Sequence, residues 1–335
     1  MKKAYYYVYA PNDEAIGLVQ NAWSIQWRPK YDETGDFEIY LRFSEGDLDL
    51  YKLGNRILCT EDNTIGFITQ VYIRGDDIEI RGKMDNLADR INTVMMHLTK
   101  LADLMTLIER NKRGLNVNPS VKNAPDIPID VETTWDDLRT TVSSQCLEHG
   151  AGYRMVKKDN RMNVIELYQG RRNEDVVFSE TLGNLLACEW LQSEELYKNY
   201  AYVAGEGEGA NRTIEQVDQT KGSPRKELYV DARELQRIWT DEDGTEHQYT
   251  EAQYRNLLKQ KGVQALQEHL RETTFEINSN LYSETFVYGQ DYSLGDILLV
   301  SSKKYHLKKY FRLVGINRVQ QEGNQLYGIF RVLDE

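Results

Sequence analysis

Short runs of alternating apolar and polar residues dominate the first ninety positions and constrain the fold more than any other feature. In residues 22–27 the side chains of Trp23, Ile25 and Trp27 alternate with smaller or polar ones, and residues 37–43 alternate in the same way. Successive side chains of a strand point to opposite faces, so this period predicts strands with those three residues on one face. Turn residues between the runs predict a hairpin, and further short strands predict a barrel or sandwich.

The period changes after residue 86. Apolar residues between Leu87 and Ile108 recur every three or four positions, which predicts a helix. A second helix is predicted to begin at an N-cap on Thr134 and to end at Gly150. Strand-like runs follow it, so this region is predicted to form a small α/β unit within a β-rich framework.

Three features describe the second half of the chain. The polar stretch 205–225 predicts a mobile segment, and the Asp-Gly pair at 243–244 predicts the turn of a hairpin. Thr250 and Gln253 have the spacing of a capping box, which predicts the start of a helix. The last sixty residues return to apolar runs separated by turns, which predict a second β-barrel.

Composition excludes several classes of protein. No run approaches the roughly 18–20 apolar residues that a membrane-spanning helix needs. Pro11, Asn12 and Asp13 interrupt the segment where a signal peptide would carry its apolar core, so we expect synthesis in a cytoplasm and no membrane anchor. The net charge of −12 disfavours nucleic-acid binding, which depends on cations that neutralise phosphates. The basic, aromatic run 303–310 is better explained as a strand edge protected by lysines.

Tyrosine is unusually frequent, with 22 residues against 8 phenylalanines. Its ring suits a dry surface while its hydroxyl stays in contact with water, which is the situation at strand faces and protein interfaces. The excess therefore indicates a surface that contacts other proteins.

The glycine-rich segment 205–212 has little in common with a phosphate-binding loop beyond its glycines. Glu206 and Glu208 would repel phosphate, and no helical pattern or Gly-Lys-Ser/Thr motif follows. The acidic segment 241–244 lacks the residues that a calcium-binding EF-hand loop needs at its fixed positions. Both segments are therefore predicted to be turns, and no cofactor is expected.

The histidines show no spacing that is typical of zinc ligands. They lie at positions 97, 149, 247, 269 and 306. Cys146 and His149 share a predicted helix face, but Cys146 falls on its apolar stripe, so packing explains it better than a catalytic pair. Cys59, Cys146 and Cys188 form no CxxC pair and are predicted to be reduced, buried thiols.

A cell-wall hydrolase would need a pair of carboxylates in a cleft. Glu38, Glu79 and Glu166 each fall on the polar side of an alternating strand, where carboxylates are usually solvated. No pair stands out among the 53 acidic residues. We therefore predict no catalytic residues, no metal ligands and no enzymatic activity.

Two segments, which we call the framing segments, resemble the tail-hub proteins of siphophages and prophages. The first, residues 23–39, carries WSIQW and YDETGDFEI, and the second, residues 292–300, reads YSLGDILLV. The resemblance implies a structural hub of a tail tip or baseplate, usually a homotrimeric ring that joins the tail tube to tip or receptor-binding proteins. It implies the distal tail protein, the tape-measure protein and a tail-tip or receptor-binding protein as partners, and the virion tail tip as the location.

The resemblance and the strand pattern together imply an α+β, mainly β fold, with two tail-tube-like β-barrels, an inserted α/β domain and a helical insertion. We expect the chain to divide into the N-terminal part of a first β-barrel (1–92), an inserted α/β domain (93–185), strands that return to the barrel framework (186–235), a hairpin plus helix insertion (236–274) and a second β-barrel (275–335). DNA would pass through an acidic lumen without specific binding. A tail-associated cell-wall hydrolase domain and a carbohydrate- or receptor-binding module are the alternatives.

Overall fold

A computed structural model describes residues 4–185, 187–240, 245–279, 285–321 and 325–332. The predicted mainly β fold class is confirmed, since strands hold 44% of the chain and helices 16%. The strands are β1 (Tyr6–Tyr9), β2 (Ala15–Leu18), β3 (Ala22–Arg28), β4 (Asp36–Arg42), β5 (Arg56–Cys59), β6 (Ile65–Arg74), β7 (Asp77–Lys83), β8 (His97–Lys100), β9 (Asn118–Ser120), β10 (Pro128–Glu132), β11 (Gly152–Lys158), β12 (Arg161–Tyr168), β13 (Arg172–Ser179), β14 (Ala187–Ser193), β15 (Tyr200–Ala204), β16 (Ile214–Asp218), β17 (Glu227–Asp231), β18 (Ile238–Thr240), β19 (Glu246–Gln248), β20 (Glu272–Ser279), β21 (Ile297–Ser302), β22 (Leu307–Gln320) and β23 (Gln325–Val332). The helices are α1 (Asp47–Leu50), α2 (Asp103–Asn111), α3 (Leu138–Glu148) and α4 (Glu251–Gln267).

One large sheet combines strands from both ends of the chain. Its first half has the order β3-β4-β7-β6-β5-β1-β2. Its second half has the order β14-β20-β23-β22; in addition, β21 pairs with β22, and β13 pairs with β21. The long strand β22 connects the halves, because it pairs with β21 and β23 and, near its C-terminal end, with β3.

Each half of the large sheet has its own apolar core. Trp27 and Phe37 stack with their ring centroids 5.1 Å apart at the centre of the first core. Phe178 and Phe330 meet edge to face in the second. Among the described strands, no pairing joins the two ends of either half. The two-barrel arrangement therefore stays a prediction.

The predicted hairpin forms from β3 and β4, but Trp23 does not share a face with Ile25 and Trp27. The register shifts between Ala22 and Ser24, which marks a β-bulge. Trp23 is 55% exposed, whereas Ile25 and Trp27 are buried. The bulge explains the error, because one extra residue reverses the alternation of faces.

The helix predicted between Leu87 and Ile108 is wrong for most of its length. The segment instead contains a 3-10 turn at Leu87–Asp89, the strand β8, and α2 only from Asp103. β8 pairs with β10, and its flanking apolar residues enter the same core as α2. Pairing with a distant strand therefore overrides a period of three to four that local propensity alone would read as helix.

The two other helices were predicted closely. Helix α3 begins at Asp137, whose carboxylate accepts a hydrogen bond from the Thr140 backbone at 3.0 Å, so the N-cap predicted at Thr134 is wrong by one short turn. The capping box of α4 is confirmed, since the Thr250 and Gln253 side chains each accept a hydrogen bond from the other's backbone N–H.

The chain separates into two compact units, and Leu191–Thr273 forms the smaller one. In it, β16, β15 and β17 make a separate sheet, and α4 packs on one of its faces through Tyr254 and Leu258. Of the described strands in 186–235, which was predicted to return to the barrel framework, β14 joins the large sheet, whereas β15, β16 and β17 pair with one another. The stretch 205–225, predicted to be mobile, contains the strand β16.

The hairpin predicted in the smaller unit forms from β18 and β19. Its turn residues 243–244, and with them the acidic segment 241–244, lie outside the described residues.

The region predicted as a separate insert, 93–185, is divided differently in the structure. Its helices and the sheets β8-β10 and β11-β12-β9 share a core with Tyr9, Leu58 and Phe67 of the large sheet. Strand β13 leaves the insert and pairs with β21. The framework therefore resumes at Arg172 rather than at residue 186.

The basic run 303–310 comprises a turn and the start of β22, where residues 307–310 pair with β21 on one side and with no described strand on the other, in agreement with the predicted strand edge. Residues 303–306 form the turn between β21 and β22, and Lys308 and Lys309 pair with Ser301 and Val300. The lysines therefore flank a hairpin turn, with both side chains exposed to solvent.

Candidate functional site

The two framing segments meet at one close contact between Tyr31 and Gly295. A Cβ atom on Gly295 would lie 2.2 Å from a ring carbon of Tyr31, and the residue has a φ of +96°. Only glycine fits there, because both the space and the backbone angle exclude a side chain. The buried Tyr31 hydroxyl donates to the Gly150 carbonyl at 3.1 Å and accepts from the Gly170 N–H at 3.0 Å. Tyr31 thus holds both framing segments against the end of α3 and the segment after β12.

A polar cavity of about 940 Å³ is lined by residues on both sides of this contact. The first framing segment contributes Lys30, Glu33 and Thr34, and the second contributes Ser293 and Asp296. Residues of β11 and β22 and of the segments 61–64, 84–85, 168–170 and 287–290 also line it. The cavity has the size of a small-molecule site. Many of the polar groups that line it take no part in the contact between Tyr31 and Gly295.

Arg318 of β22 is the most deeply buried cation of this cavity, with 4% of its surface exposed. Its Nε lies 3.2 Å from Glu61 Oε2, and its Nη1 lies 3.5 Å from Asp62 Oδ2. Nη1 also donates to Cys59 Sγ at 3.2 Å. Its Nη2 has no hydrogen-bond partner among the described residues. Nε, although it lies beside Glu61, also makes no hydrogen bond to a described residue, so the guanidinium is charge-neutralised but incompletely hydrogen-bonded.

Electrostatics keep this cluster in a defined charge state. Burial alone would lower the pKa of Arg318, but the surrounding groups, Asp62 first and Glu61 among them, together outweigh it and hold that pKa above its usual range. Burial, and then Asp62, raise the pKa of Cys59 to about 12, so the thiol stays protonated at neutral pH. Burial also raises the pKa of Tyr6, which lies close to the same guanidinium.

An ion triad around the buried Glu166 touches the cavity through Arg154. Glu166 is 1% exposed and accepts from Arg154 Nη2 at 2.7 Å and from Lys158 Nζ at 2.5 Å. Arg154 lines the cavity and lies 4.8 Å from the centre of the Tyr168 ring. The prediction that Glu166 is a solvated carboxylate is therefore wrong. Its burial is compensated by Arg154 and Lys158, two cations of the paired strand β11.

Asp85 is likewise committed to structure. Its carboxylate accepts from Arg139 Nε at 2.8 Å, from the Tyr153 hydroxyl at 3.2 Å and from the Leu87 N–H at 3.0 Å. These bonds join α3 and β11 to the end of the first sheet half. Asp85 therefore has a structural role at the edge of the cavity.

The outer face of the first sheet half carries a row of partly exposed aromatic side chains. Trp23 and Tyr40 lie with ring centroids 5.1 Å apart, and Tyr72 is 51% exposed on the same face. The Tyr40 hydroxyl donates to Glu38 at 2.9 Å and lies 3.2 Å from Glu79 Oε1. Glu38 and Glu79 do lie on the polar face, as predicted, but within a network of bonds rather than free in water. The row has the tyrosine-rich character of an interface surface.

The residues considered for chemistry are not brought together. Among the described residues, no group of three or more His, Cys, Asp and Glu side chains is placed to hold a metal ion. Cys59 and Cys146 are free and buried, as predicted, and the side chain of Cys188 lies outside what the structure describes. Burial raises the pKa of Cys146, which fits packing rather than pairing with His149. No described helix is long and apolar enough to cross a membrane.

Sequence reasoning missed the Arg318 cluster, whose members lie about 260 positions apart along the chain. One signal was present: Arg318 interrupts the apolar run of β22 between Ile316 and Val319. A charge within a buried strand is rare without a partner, so it marks a site.

Comparisons with known proteins agree on one family and one fold. A family model described as Siphovirus ReqiPepy6 Gp37-like protein matches residues 80–327. The 43 kDa tail protein of prophage MuSo2 from Shewanella oneidensis is 10% identical with a TM-score of 0.55, covering 98% of both chains. The tail protein from Neisseria meningitidis MC58 is 11% identical with a TM-score of 0.56, covering 98% of this chain and 96% of the other.

Prophage tail protein gp18 from Listeria monocytogenes EGD-e is 11% identical with a TM-score of 0.51, covering 98% of this chain and 95% of the other. No match was found among curated proteins. At these identities the solved structures establish a shared fold over nearly the whole chain.

Proposed function

Since the chain belongs to the Siphovirus ReqiPepy6 Gp37-like protein family and has the fold of prophage tail proteins, we propose that it is the structural hub of a phage or prophage tail tip. In this role it forms a homotrimeric ring that joins the tail tube to tip or receptor-binding proteins. The observation that carries the proposal is the agreement of fold over 98% of this chain and at least 95% of three tail proteins.

The arrangement of the large sheet supports a ring of paired units. Each half of the sheet encloses its own core, and β22 belongs to both halves. Three such chains would present six similar halves around one axis, which suits contact with a six-fold tube above and three-fold parts below. A ring of this kind needs head-to-tail contacts that close by rotation.

The aromatic row on the first sheet half is the surface we assign to the neighbouring subunit. Trp23 and Tyr72 are more than half exposed. Such a patch is unfavourable in water and favourable once a second chain covers it. The Tyr40 hydroxyl, bonded to Glu38 and close to Glu79, keeps the row rigid before contact.

The proposed partners are the distal tail protein, the tape-measure protein and a tail-tip or receptor-binding protein. The proposed location is the virion tail tip, after synthesis and assembly in the bacterial host cytoplasm. The net charge of −12 supports passage of DNA through the ring without specific binding, since like charges do not adhere.

Co-expression with the tail-tube and distal tail proteins of the same phage, followed by negative-stain imaging, tests this role. We expect rings with three-fold features at the tip of tube assemblies. Tubes that form normal tips without this protein, and a protein that never associates with them, would contradict the proposal.

We propose further that the role is structural and not enzymatic. Zymography on host cell walls with the full chain tests this point, with Glu61→Gln as the informative variant because Glu61 is the most accessible acid of the Arg318 cluster. We expect no clearing by either protein. Clearing by the unmodified chain that Glu61→Gln abolishes would support a hydrolase instead.

A further inference from the structure

The two halves of the large sheet contain the same four-strand unit. Its strand order is β5-β6-β7-β4 in the first half and β21-β22-β23-β20 in the second, with antiparallel pairing throughout. Each unit carries one further strand at the same end, β3 beside β4 and β14 beside β20. The halves differ beyond the opposite end, where β1 is antiparallel to β5 and β13 is parallel to β21. The sheet therefore contains an internal repeat, in which β14 is the counterpart of β3.

Backbone contacts align β6 with β22 residue by residue. The Gly54 N–H donates to the Ile68 carbonyl at 3.0 Å. The Gly295 N–H donates in the same way to the Leu313 carbonyl at 2.8 Å, and both glycines have a positive φ. In each strand a β-bulge follows the residue that accepts this bond. The stretches that correspond after the accepting residue are 69–74 of β6 and 314–319 of β22.

In the second half, β3 and the residues after it cover one edge of this stretch. Residues 318–320 of β22 pair with β3 in antiparallel register. The Ile316 N–H donates to the Pro29 carbonyl at 3.0 Å. The Tyr31 N–H donates to the Val314 carbonyl at 2.9 Å. This contact, which we call the β22–β3 junction, joins the two halves of the sheet.

The corresponding edge of β6 is uncovered. Strand β5 runs along β6 only at its beginning, and none of the described strands pairs with residues 69–74 on that side, which we call the free edge. Ile73 is 40% exposed, whereas its counterpart Arg318 is 4% exposed. Thr69 is likewise exposed, and its counterpart Val314 is buried. The same strand position is therefore buried in one half and open to solvent in the other.

The free edge retains the capacity to pair with another strand. Alternate residues of an antiparallel strand bond to the same neighbour. Because Val71 corresponds to Ile316, its N–H and that of Ile73 point towards the free edge. Native proteins usually protect such an edge with charges, a proline or a covering segment. Here Arg74 is the only charged residue between positions 69 and 74, and no proline is present.

We propose that β14 of a second copy of this chain pairs with the free edge of β6, as β3 pairs with β22 within the chain. No described strand pairs with the outer side of β14. The only charged side chains of the two segments, Arg74 and Glu189, have opposite signs. Tyr72 belongs both to the free edge and to the aromatic row, so the two surfaces are continuous.

This inference rests on the proposed ring and names the strands that join its subunits. Successive halves would meet at the same kind of junction, alternately within a chain and between chains. Such contacts are head-to-tail, and they form a ring when their rotation closes.

Hydrogen exchange of the full chain, as separate chains and as assembled rings, tests the proposal without any substitution. Amides of residues 69–74 and 187–193 should exchange about tenfold more slowly, or more slowly still, in the rings, because a newly paired strand must open before it exchanges. Strand β2 also lies at an end of the sheet order, and the proposal leaves its outer side unpaired. Its residues, 15–18, are the control and should exchange equally in both states.

A substitution at Ile73 tests the backbone contact separately from the side chain. Ile73→Pro removes an N–H that faces the free edge, and it should weaken ring formation about tenfold or more, since strand addition depends on main-chain hydrogen bonds. Ile73→Val keeps that N–H and should assemble as the unmodified chain does. The urea midpoint of each single chain shows whether it folds. If Ile73→Pro does not fold, the exchange measurement decides the question.

Three outcomes would overturn the proposal. The first is a ring in which residues 69–74 exchange as fast as in separate chains. The second is a ring in which they are protected but 187–193 are not, because another strand would then cover the free edge. The third is a folded Ile73→Pro variant that assembles as well as Ile73→Val. All three leave the hub role intact, whereas a chain that never forms rings contradicts the hub role and this inference together.

Discussion

Tyr31 and Gly295 lie 264 positions apart, yet neither can be understood without the other. The ring of Tyr31 fills the space that a Cβ on Gly295 would take, and its hydroxyl bonds two further backbone segments. The residues that carry the resemblance to tail hubs therefore include a packing contact of the framework. That the two segments belong to one family pattern was predictable from sequence, but their contact was not, because no local signal links a tyrosine to a distant glycine.

Gly295→Ala should strongly destabilise the larger unit. The new methyl group meets the Tyr31 ring at 2.2 Å, and the backbone keeps a φ of +96°. Overpacking and the unfavourable backbone angle together should lower the free energy of unfolding by roughly 2–4 kcal/mol. Urea denaturation followed by tryptophan fluorescence measures the change.

Gly289→Ala is the matched control. Gly289 also has a positive φ, of +82°, but nothing lies within 4 Å of its would-be Cβ. It should show the backbone penalty alone, about 1–2 kcal/mol. Equal losses in the two variants would contradict the close contact with Tyr31.

Glu166→Gln should reduce both stability and its dependence on pH. Burial would raise the pKa of Glu166, but hydrogen bonds from Lys158 and Arg154 hold it below its ordinary value of 4.5. A carboxyl with a depressed folded pKa contributes stability that is present above about 4.5 and is lost as the pH falls through the folded pKa.

We expect the variant to be about 1–3 kcal/mol less stable at pH 7, because neutral Gln replaces a charged acceptor. The gap between the variant and the unmodified chain should shrink as the pH is lowered towards 3. Thermal melts across this pH range measure it. A gap that stays constant with pH would show that the ionised form of Glu166 is not what matters.

At the scale of single elements, sequence patterns gave the correct type of structure more often than the correct limits. The hairpin of β3 and β4 was predicted, but a bulge at residues 22–24 turns Trp23 outwards. The helix predicted from Leu87 shrinks to α2, because β8 pairs with a strand about 30 positions later in the chain. Bulges and long-range strand pairings depend on tertiary contacts, so the apolar periodicity of one segment cannot predict them.

Helix α4 is the element whose start was predicted correctly from local chemistry. Thr250→Ala removes the side-chain acceptor of its capping box and should destabilise the helix by about 1 kcal/mol. Hydrogen exchange of the α4 amides, compared with those of the large sheet, measures the effect. Exchange should quicken in the smaller unit only.

Thr250→Ser is the control for this change, since it keeps the hydroxyl that accepts from Gln253. It should exchange as the unmodified chain does. Equal acceleration in both variants would mean that the Thr250 methyl group, and not the cap, stabilises the start of α4.

At the scale of the whole molecule, the mainly β fold was predictable because alternating runs recur along the chain, and the division of the chain was not. Strands β15, β16 and β17 have the same short apolar pattern as framework strands, yet they pair with one another under α4. The pattern of apolar residues predicts that a segment is a strand, but it does not predict which strand it pairs with. The polar cavity could not be predicted for the same reason, since its lining comes from distant parts of the chain.

Trp23→Glu should prevent association of the chain with its own copies. The charge would sit in the middle of the aromatic row, where a covering subunit would have to bury it without a partner. The change should leave the fold intact, because Trp23 is 55% exposed in the single chain. Leu53→Glu, at a residue that is 66% exposed and lies outside the row, is the control and should associate normally.

The measurement that tests the hub role most directly is the mass of the purified full chain in solution, by light scattering coupled to gel filtration. We predict a species of three times the 39.0 kDa chain mass, at least in the presence of its tail-tube partner. We predict a single-chain mass for Trp23→Glu under the same conditions. A chain that stays at 39.0 kDa at every concentration, alone and with the partner, would contradict the central claim.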